Sequence, residues 1–244
     1  MDFHVWQMGA MRVNKLIGFL ILLIFPGTSL ALGGTHGYLQ LVAKRNVSGA
    51  SFTTQDFTTF TENDPDSAIT ITSSSVTFSN LLRGSGAYVY KANSIGSTTD
   101  FTHRFVVERT ASLTGSAFIY WSVGDSVGRW GDQTDGIGIS TYNNELRLLL
   151  LENSSETSDA YTSFANSTTY YITVEHSRTG GVNGTGQTTA YIRNGSHTGT
   201  LVDTLQIDSA IGEQNSYGYM YAIQTFALTG SYAASGSISN LETQ

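Results

Sequence analysis

The residues best suited to chemistry lie in one loop between two apolar runs. This loop contains three carboxylates, Asp125, Asp132 and Asp135, together with several glycines and Trp130. Loops held by a rigid β scaffold frequently carry ligand sites. An indole presents an apolar face to a sugar ring, and carboxylates accept hydrogen bonds from hydroxyl groups. We therefore predict a ligand site formed by Asp125, Trp130, Asp132, Asp135 and Gly136.

These loop residues also have simpler interpretations. Three carboxylates could bind Ca²⁺ through their oxygens, but Ca²⁺ takes about six to eight oxygen ligands, so the pattern favours a solvated acidic loop. Trp130 could fold back onto the edge of the sheet instead of facing a ligand. We predict no cofactor, with Ca²⁺ binding as the alternative.

Hydrolysis of a glycosidic bond requires two carboxyl groups placed across the bond. The closest pattern is Glu62, Asp64 and Asp66, but a proline within this segment indicates a turn and not a central strand. Glu145 and Glu152 bracket one predicted strand but have opposite parity, so they should face opposite sides of a sheet. The sequence contains neither Gly-x-Ser-x-Gly nor His-Glu-x-x-His. We predict no enzymatic activity; a glycoside hydrolase with an unrecognised carboxylate pair is the alternative.

Several aromatic residues outside the loop have the spacing of core positions. Trp121 lies between Ile and Val residues in a predicted strand, and His103 alternates with phenylalanines. Tyr217, Tyr219 and Tyr221 share the parity of one strand face. Such a regular stripe favours inward packing, although it could also form a stacking surface. We predict that all five residues are buried.

The elements that position these residues are predicted to be β-strands. Polar and apolar residues alternate with period two in residues 101–108 and again in 169–176. Turn signals such as Asn143-Asn144 and Asn194-Gly195 separate the runs. With 26 glycines and 2 prolines, this pattern predicts an all-β fold. The predicted strands cover residues 38–43, 57–61, 68–72, 76–79, 87–91, 101–108, 117–123, 136–142, 145–152, 169–176, 188–193, 201–207, 217–226 and 235–241.

The charge balance restricts the partners. The net charge is −7, only 13% of the residues are charged, and lysine and arginine do not cluster. Binding to a nucleic-acid phosphate backbone or to an anionic membrane surface requires such a cluster, so we predict neither partner. The chain has no cysteine, which excludes disulfides and thiolate metal sites.

The N-terminal segment has the pattern of a secretory signal helix. Arg12 and Lys15 precede an apolar run at residues 16–25, and a small-x-small triplet ends at Ala31. The run is shorter than the roughly 20 residues that span a membrane, so we predict cleavage and no membrane insertion afterwards. A retained anchor, which would attach the protein to a cell surface, is the alternative. The predicted organisation is a signal peptide (1–31), a linker or edge strand (32–50) and one β domain (51–244).

Several segments, taken in order, indicate a family. Residues 135–139 read Asp-Gly-Ile-Gly-Ile and precede an aromatic strand at 168–175. A hairpin-like pair at 189–195 and 201–205 follows, and a closing strand lies at 236–242. Over about residues 50–243 this order resembles the concanavalin A-like lectin and glucanase superfamily, which includes L-type lectins and laminin G-like modules.

The resemblance implies a two-sheet antiparallel jelly-roll sandwich and a role in carbohydrate recognition. In L-type lectins the Asp of the Asp-Gly strand accepts hydrogen bonds from sugar hydroxyls, so the resemblance assigns that role to Asp135. The Glu-x-Asp strand and the following Asn and Asp that bind metals in those lectins are missing here. We therefore predict a secreted, extracellular, non-catalytic module that binds a glycan or glycoconjugate or mediates adhesion. A structural or interaction protein of a cell or virion surface is the alternative.

Overall fold

The computed structural model describes residues 51–244 except 96–98, 113–114, 116, 183, 211–215 and 227–229. The predicted signal helix, the linker and the predicted strand at 38–43 lie outside the described residues. The described residues belong to one unit, Ser51–Gln244. Within them, no helix has the length and apolar character needed to cross a membrane.

The described chain folds into strands joined mostly by short turns. The strands are β1 (Thr53–Thr54), β2 (Thr61–Asn63), β3 (Ile69–Ile71), β4 (Ser75–Leu82), β5 (Tyr88–Ile95), β6 (Phe101–Ser112), β7 (Ala117–Gly124), β8 (Gly136–Tyr142), β9 (Glu145–Glu152), β10 (Ser155–Tyr161), β11 (Thr169–Ser177), β12 (Gln187–Asn194), β13 (Thr200–Asp208), β14 (Tyr217–Thr225) and β15 (Ala233–Thr243). Two short 3₁₀ helices lie at Phe57–Thr59 and Trp130–Asp132.

The strands form two sheets. The eight-stranded sheet has the order β13-β12-β11-β6-β15-β4-β3, and β1 also pairs with β15. The seven-stranded sheet has the order β10-β9-β8-β7-β14-β5-β2. Every described pairing is antiparallel, which confirms the predicted all-β jelly-roll sandwich.

The main core lies between the sheets and follows from strand alternation. In β8, Ile137 and Ile139 are fully buried in this core, so Gly136 and Gly138 lie on the opposite face. In β9, Leu146, Leu148 and Leu150 alternate in the same way. We call the side of the seven-stranded sheet that is turned away from the main core its outer face.

The structure differs from the sequence prediction at one predicted strand and contains a strand that was not predicted. The predicted strand at 57–61 begins as a 3₁₀ helix, because the Asp56 carboxylate accepts a hydrogen bond from the backbone N–H of Thr58 at 3.0 Å and caps the turn. The sequence does not predict strand β10, because its residues are polar almost throughout and lie at the sheet edge. An edge strand with little buried surface lacks the alternation that identifies other strands.

A buried arginine joins the loops next to β6. Arg109 is 1% exposed, and its guanidinium donates to Asn166 Oδ1 at 2.6 Å, Thr141 Oγ1 at 3.2 Å and the carbonyl of Phe164 at 2.9 Å. It also donates to the carbonyl of Asn143, at the β8–β9 turn. Burial lowers the pKa of Arg109, and the acceptors around the guanidinium compensate for its removal from water.

The edge strands of the two sheets meet on one side of the sandwich. Strand β10 ends the seven-stranded sheet and β13 ends the eight-stranded sheet. The backbone N–H of Gln206 in β13 donates to Asp159 Oδ2 in β10 at 2.9 Å. A side chain of one sheet thereby satisfies a backbone donor at the edge of the other.

Candidate functional site

The loop between β7 and β8 folds back onto the outer face. Trp130 is 1% exposed and packs with Ile119, Leu149 and Leu151 in a small cluster separate from the main core. Its indole Nε1 donates to Glu156 Oε2 at 2.7 Å. A side chain buried to this degree has no free ring face for a sugar, so the predicted stacking role does not fit its position. Trp130 holds the loop on the sheet.

The predicted site residue Gly136 provides space for this indole. A Cβ atom at Gly136 would lie 3.2 Å from Trp130 Cζ3, and one at Gly138 would lie 3.1 Å from the same atom. Both distances are tighter than ordinary van der Waals contact. The Gly-x-Gly pattern of β8 therefore makes a shallow slot on the outer face that receives Trp130.

Asp135 is also largely committed to the scaffold. Its side chain is 8% exposed, and Oδ1 accepts a hydrogen bond from the backbone N–H of Asn153 at 2.9 Å. Asn153 begins the tight β9–β10 turn and has φ of 50°. Asp135 thus joins the start of β8 to this turn, and its role as a sugar acceptor stays a prediction.

The other two loop carboxylates bond within the loop. Asp125 Oδ1 accepts from the backbone N–H of Thr134 at 3.1 Å, while Asp132 Oδ2 accepts from Arg129 Nε at 2.9 Å. The described part of the chain contains no group of three or more His, Cys, Asp or Glu residues that could hold a metal ion. The structure therefore does not assemble Asp125, Asp132 and Asp135 into the Ca²⁺ site that the sequence left open as an alternative.

Strand β14 holds the β7–β8 loop through hydrogen bonds from two of its side chains, Tyr221 and Gln224. Tyr221 is fully buried, and its hydroxyl donates to the carbonyl of Ser126 and accepts from the backbone N–H of Gly128 at 3.2 Å. Gln224 Nε2 donates to the carbonyl of Gly128 at 2.8 Å. Burial raises the pKa of Tyr221, which keeps its hydroxyl protonated as a donor. These bonds fix the loop beside the remainder of the outer face.

The predicted inward stripe of Tyr217, Tyr219 and Tyr221 is correct only for Tyr217. The register of β14 against β5 shifts between Tyr217 and Tyr219, and again between Tyr221 and Ile223. Such bulges change which face a side chain takes. Tyr217 packs in the main core, whereas Tyr219 is half-buried on the outer face.

Three tyrosines form a continuous half-buried surface beside the loop. Tyr88 and Tyr90 of β5 have ring centroids 5.7 Å apart, and the Tyr90 and Tyr219 centroids are 5.9 Å apart. We call Tyr88, Tyr90 and Tyr219 the tyrosine patch. On the β7–β8 loop, Val127 is 41% exposed although apolar. The sequence contains a signal for the patch, because Tyr-x-Tyr occurs in both strands, but it does not reveal which face the rings take.

One predicted loop residue borders the tyrosine patch. Gly124 is the Cα partner of Tyr219, and Asp125 follows it directly. A Cβ atom at Gly218 would lie 3.7 Å from the Asp125 carbonyl oxygen, so the backbones are close. On the other flank, Thr61 and Asn63 of β2 are the Cα partners of Tyr90 and Tyr88 and are exposed.

The acidic residues of β9 do not form a pair. Glu145 lies on the outer face and accepts from Arg147 Nε at 2.6 Å. Glu152 is 8% exposed and accepts from the backbone N–H of Ala210 at 3.1 Å and from the Ser209 hydroxyl. The two carboxylates have different environments and opposite parity, as the sequence predicts.

The main core contains a buried histidine. His103 is 3% exposed, and its ring centroid is 5.3 Å from that of Trp121, which is fully buried. Both core positions match the sequence prediction. His103 Nδ1 has no hydrogen-bond partner among the described residues. Removal from water lowers the pKa of His103 from its usual 6.5 to about 3.

Comparison with solved structures identifies the fold. The VIP36 exoplasmic/lumenal domain in its Ca²⁺/Man3GlcNAc-bound form is similar with a TM-score of 0.53 and 12% identity, over 78% of this chain and 84% of that chain. Its Ca²⁺-bound form gives 0.52 and 14%, over 76% and 82%. The family 7 alginate lyase A1-II′ in complex with product gives 0.49 and 12%, over 78% and 96%.

The chain has the concanavalin A-like jelly-roll fold, as the sequence predicts. At these identities the likeness concerns the fold alone. No protein-family model matches the sequence, and a search of curated proteins gives no match.

Proposed function

We propose that this concanavalin A-like sandwich is a non-catalytic module that binds a glycan through the tyrosine patch. The observation that carries the proposal is the set of three half-buried tyrosine rings on the outer face, next to a loop fixed by Trp130 and Tyr221. A tyrosine offers an apolar ring for a sugar face and a hydroxyl for its polar rim.

The surroundings of the patch support recognition of a hydroxyl-rich ligand. Thr61 and Asn63 border it on one side and Asp125 on the other, so donors and acceptors surround an apolar centre. Sites for small ligands commonly combine an apolar floor with a few polar groups. The site is shifted by one strand from the loop that the sequence indicated, because Trp130 is buried and Tyr219 is not.

The alternative roles predict different behaviour. An interaction module of a cell or virion surface would use the same aromatic patch to bind a protein and would show no affinity for free oligosaccharides. A glycosidase would need two opposed carboxyl groups, and Glu145 and Glu152 do not provide them. We therefore propose binding without turnover.

A glycan array with the purified full chain tests the proposal, followed by calorimetry with the best ligand. Tyr90→Ala and Tyr219→Ala should each weaken binding by about five- to thirtyfold, the equivalent of about 1–2 kcal/mol. Tyr142→Ala is the matched control, because Tyr142 is also a half-buried tyrosine of the seven-stranded sheet but contacts Arg147 instead of the patch.

The assignment of the site to the tyrosine patch is wrong if Tyr142→Ala abolishes binding while both patch variants bind like the parent. Non-catalytic glycan binding is wrong as the function if no glycan binds, or if incubation with a bound glycan releases reducing ends.

A further inference from the structure

We infer that the ligand of the tyrosine patch is a neutral glycan, one without carboxylate, sulfate or sialic acid groups. The inference rests on the proposed function and concerns the class of sugar only. It follows from the charged residues around the patch: the nearby cations are engaged elsewhere, and the loop residue that borders the patch, Asp125, is acidic.

The cation on the neighbouring loop is neutralised. Arg129 Nε donates to Asp132 Oδ2 at 2.9 Å, and its NH2 group contacts the other oxygen of the same carboxylate. This two-point pair uses the face of the guanidinium that would otherwise bind a carboxylate or a sulfate. An anionic sugar would have to break the pair before Arg129 could bind it.

The cation of strand β5 points away from the patch. Lys91 lies between the outward-facing Tyr90 and Ala92, and it is the Cα partner of Met220, a core residue. Its Nζ donates to Gln55 Oε1 at 3.3 Å and lies 5.7 Å from the Phe60 ring centroid. Strand alternation therefore places this charge at the opposite side of the sheet.

An acidic residue borders the patch. Asp125 follows the Cα partner of Tyr219, whereas Glu62 is the Cα partner of the core residue Val89, so strand alternation turns it away from the patch. A carboxylate accepts hydrogen bonds from neutral sugar hydroxyls but repels an acidic sugar. With a net charge of −7, the chain also offers no long-range attraction for polyanions.

Pairs of glycans built from a hexose and from its uronic acid test the inference: mannan with polymannuronate, and galactan with polygalacturonate. Affinity electrophoresis and calorimetry with the full chain should show at least about tenfold tighter binding of the neutral member of whichever pair is bound. Binding should change little between low and high salt, because no ion pair contributes to it.

A gain of function gives an independent measurement. Thr61 is exposed and is the Cα partner of Tyr90, so Thr61→Lys places a cation beside the patch. Relative to its affinity for the neutral polymer, this variant should gain salt-sensitive affinity for the acidic polymer. Thr61→Gln is the matched control with a long neutral side chain and should show no such gain.

The outcomes separate the class of ligand from the function. Preference of the parent protein for the acidic member, lost in Tyr90→Ala, overturns the neutral class and leaves glycan binding at the patch intact. Absence of binding to either member of both pairs, and to the array, overturns both proposals. Neutral binding that survives both patch variants also overturns the inference, because the charged groups around the patch would then lie away from the ligand.

Discussion

Trp130→Ala is expected to destabilise the domain without directly removing a ligand contact. Trp130 is 1% exposed within the cluster of Ile119, Leu149 and Leu151. A buried aromatic side chain removes about 150–250 Å² from water, which at about 25 cal/mol per Å² corresponds to about 4–6 kcal/mol. Truncations of large aromatics to alanine cost about 3–5 kcal/mol, and we expect a loss within that range.

The loss should be visible in both thermal and chemical unfolding. For a domain of this size each kcal/mol lowers the Tm by about 2–4 °C, so Trp130→Ala should lower it by about 6–20 °C. Trp130→Phe keeps most of the packing and removes only the donor to Glu156, so it should cost less, about 0.5–1.5 kcal/mol for the hydrogen bond. Unfolding in urea, followed by tryptophan fluorescence and circular dichroism, gives the free energies.

The reasoning is refuted by a Trp130→Ala variant that melts within about 2 °C of the parent and has lost glycan binding. That combination would mean that the indole faces the ligand, as the sequence alone suggested. Loss of binding at a temperature where the variant is partly unfolded does not count, so binding is measured well below the variant's own Tm.

Burial lowers the pKa of His103 to about 3, so on acidification the unfolded chain takes up this proton before the folded chain does. The contribution of His103 to the free energy of unfolding should therefore be complete above about pH 6.5 and should decrease between pH 6.5 and pH 3 by up to about 1.4 kcal/mol per pH unit. His103→Phe should flatten that slope in urea melts, and an unchanged slope would assign the pH dependence to other groups. Arg109→Lys should cost about 3–5 kcal/mol, because lysine cannot reach the acceptors that Arg109 binds, and a neutral result would contradict its role in joining the loops. Gly138→Ala should cost about 1–3 kcal/mol by pressing on the indole, whereas in a Trp130→Ala background the same change should be nearly harmless. Export by a secreting host should yield a mature chain that begins at Leu32 or within about two residues, and intact mass showing the first 31 residues still attached would contradict this.

The fold could be predicted because alternation and turn chemistry act locally. Strands β8 and β9 have the bounds that the sequence predicts, and the turn between them uses Asn143 at φ of 54°. Strand β10 could not be predicted in this way, because an edge strand without buried side chains has no hydrophobic pattern.

The site could be predicted only in part, because it depends on irregular pairing. Bulges in β14 turn Tyr219 outward, and no local sequence signal reports where a partner strand shifts register. The burial of Trp130 could have been inferred, since Gly136 and Gly138 leave the outer face of a strand without side chains, and a nearby indole is the natural group to cover it. Asp125 is the one predicted residue that borders the tyrosine patch.

The hydrogen bond from Gln206 to Asp159 has a consequence for self-association. An edge strand with free N–H groups can serve as a template for a strand of another molecule. On this side of the sandwich the edges of the two sheets face each other, and a charged side chain occupies one of the donors that an incoming strand would need. Removing the carboxylate with Asp159→Ala frees that donor, so the variant should aggregate through β13 at protein concentrations at which the parent stays dispersed.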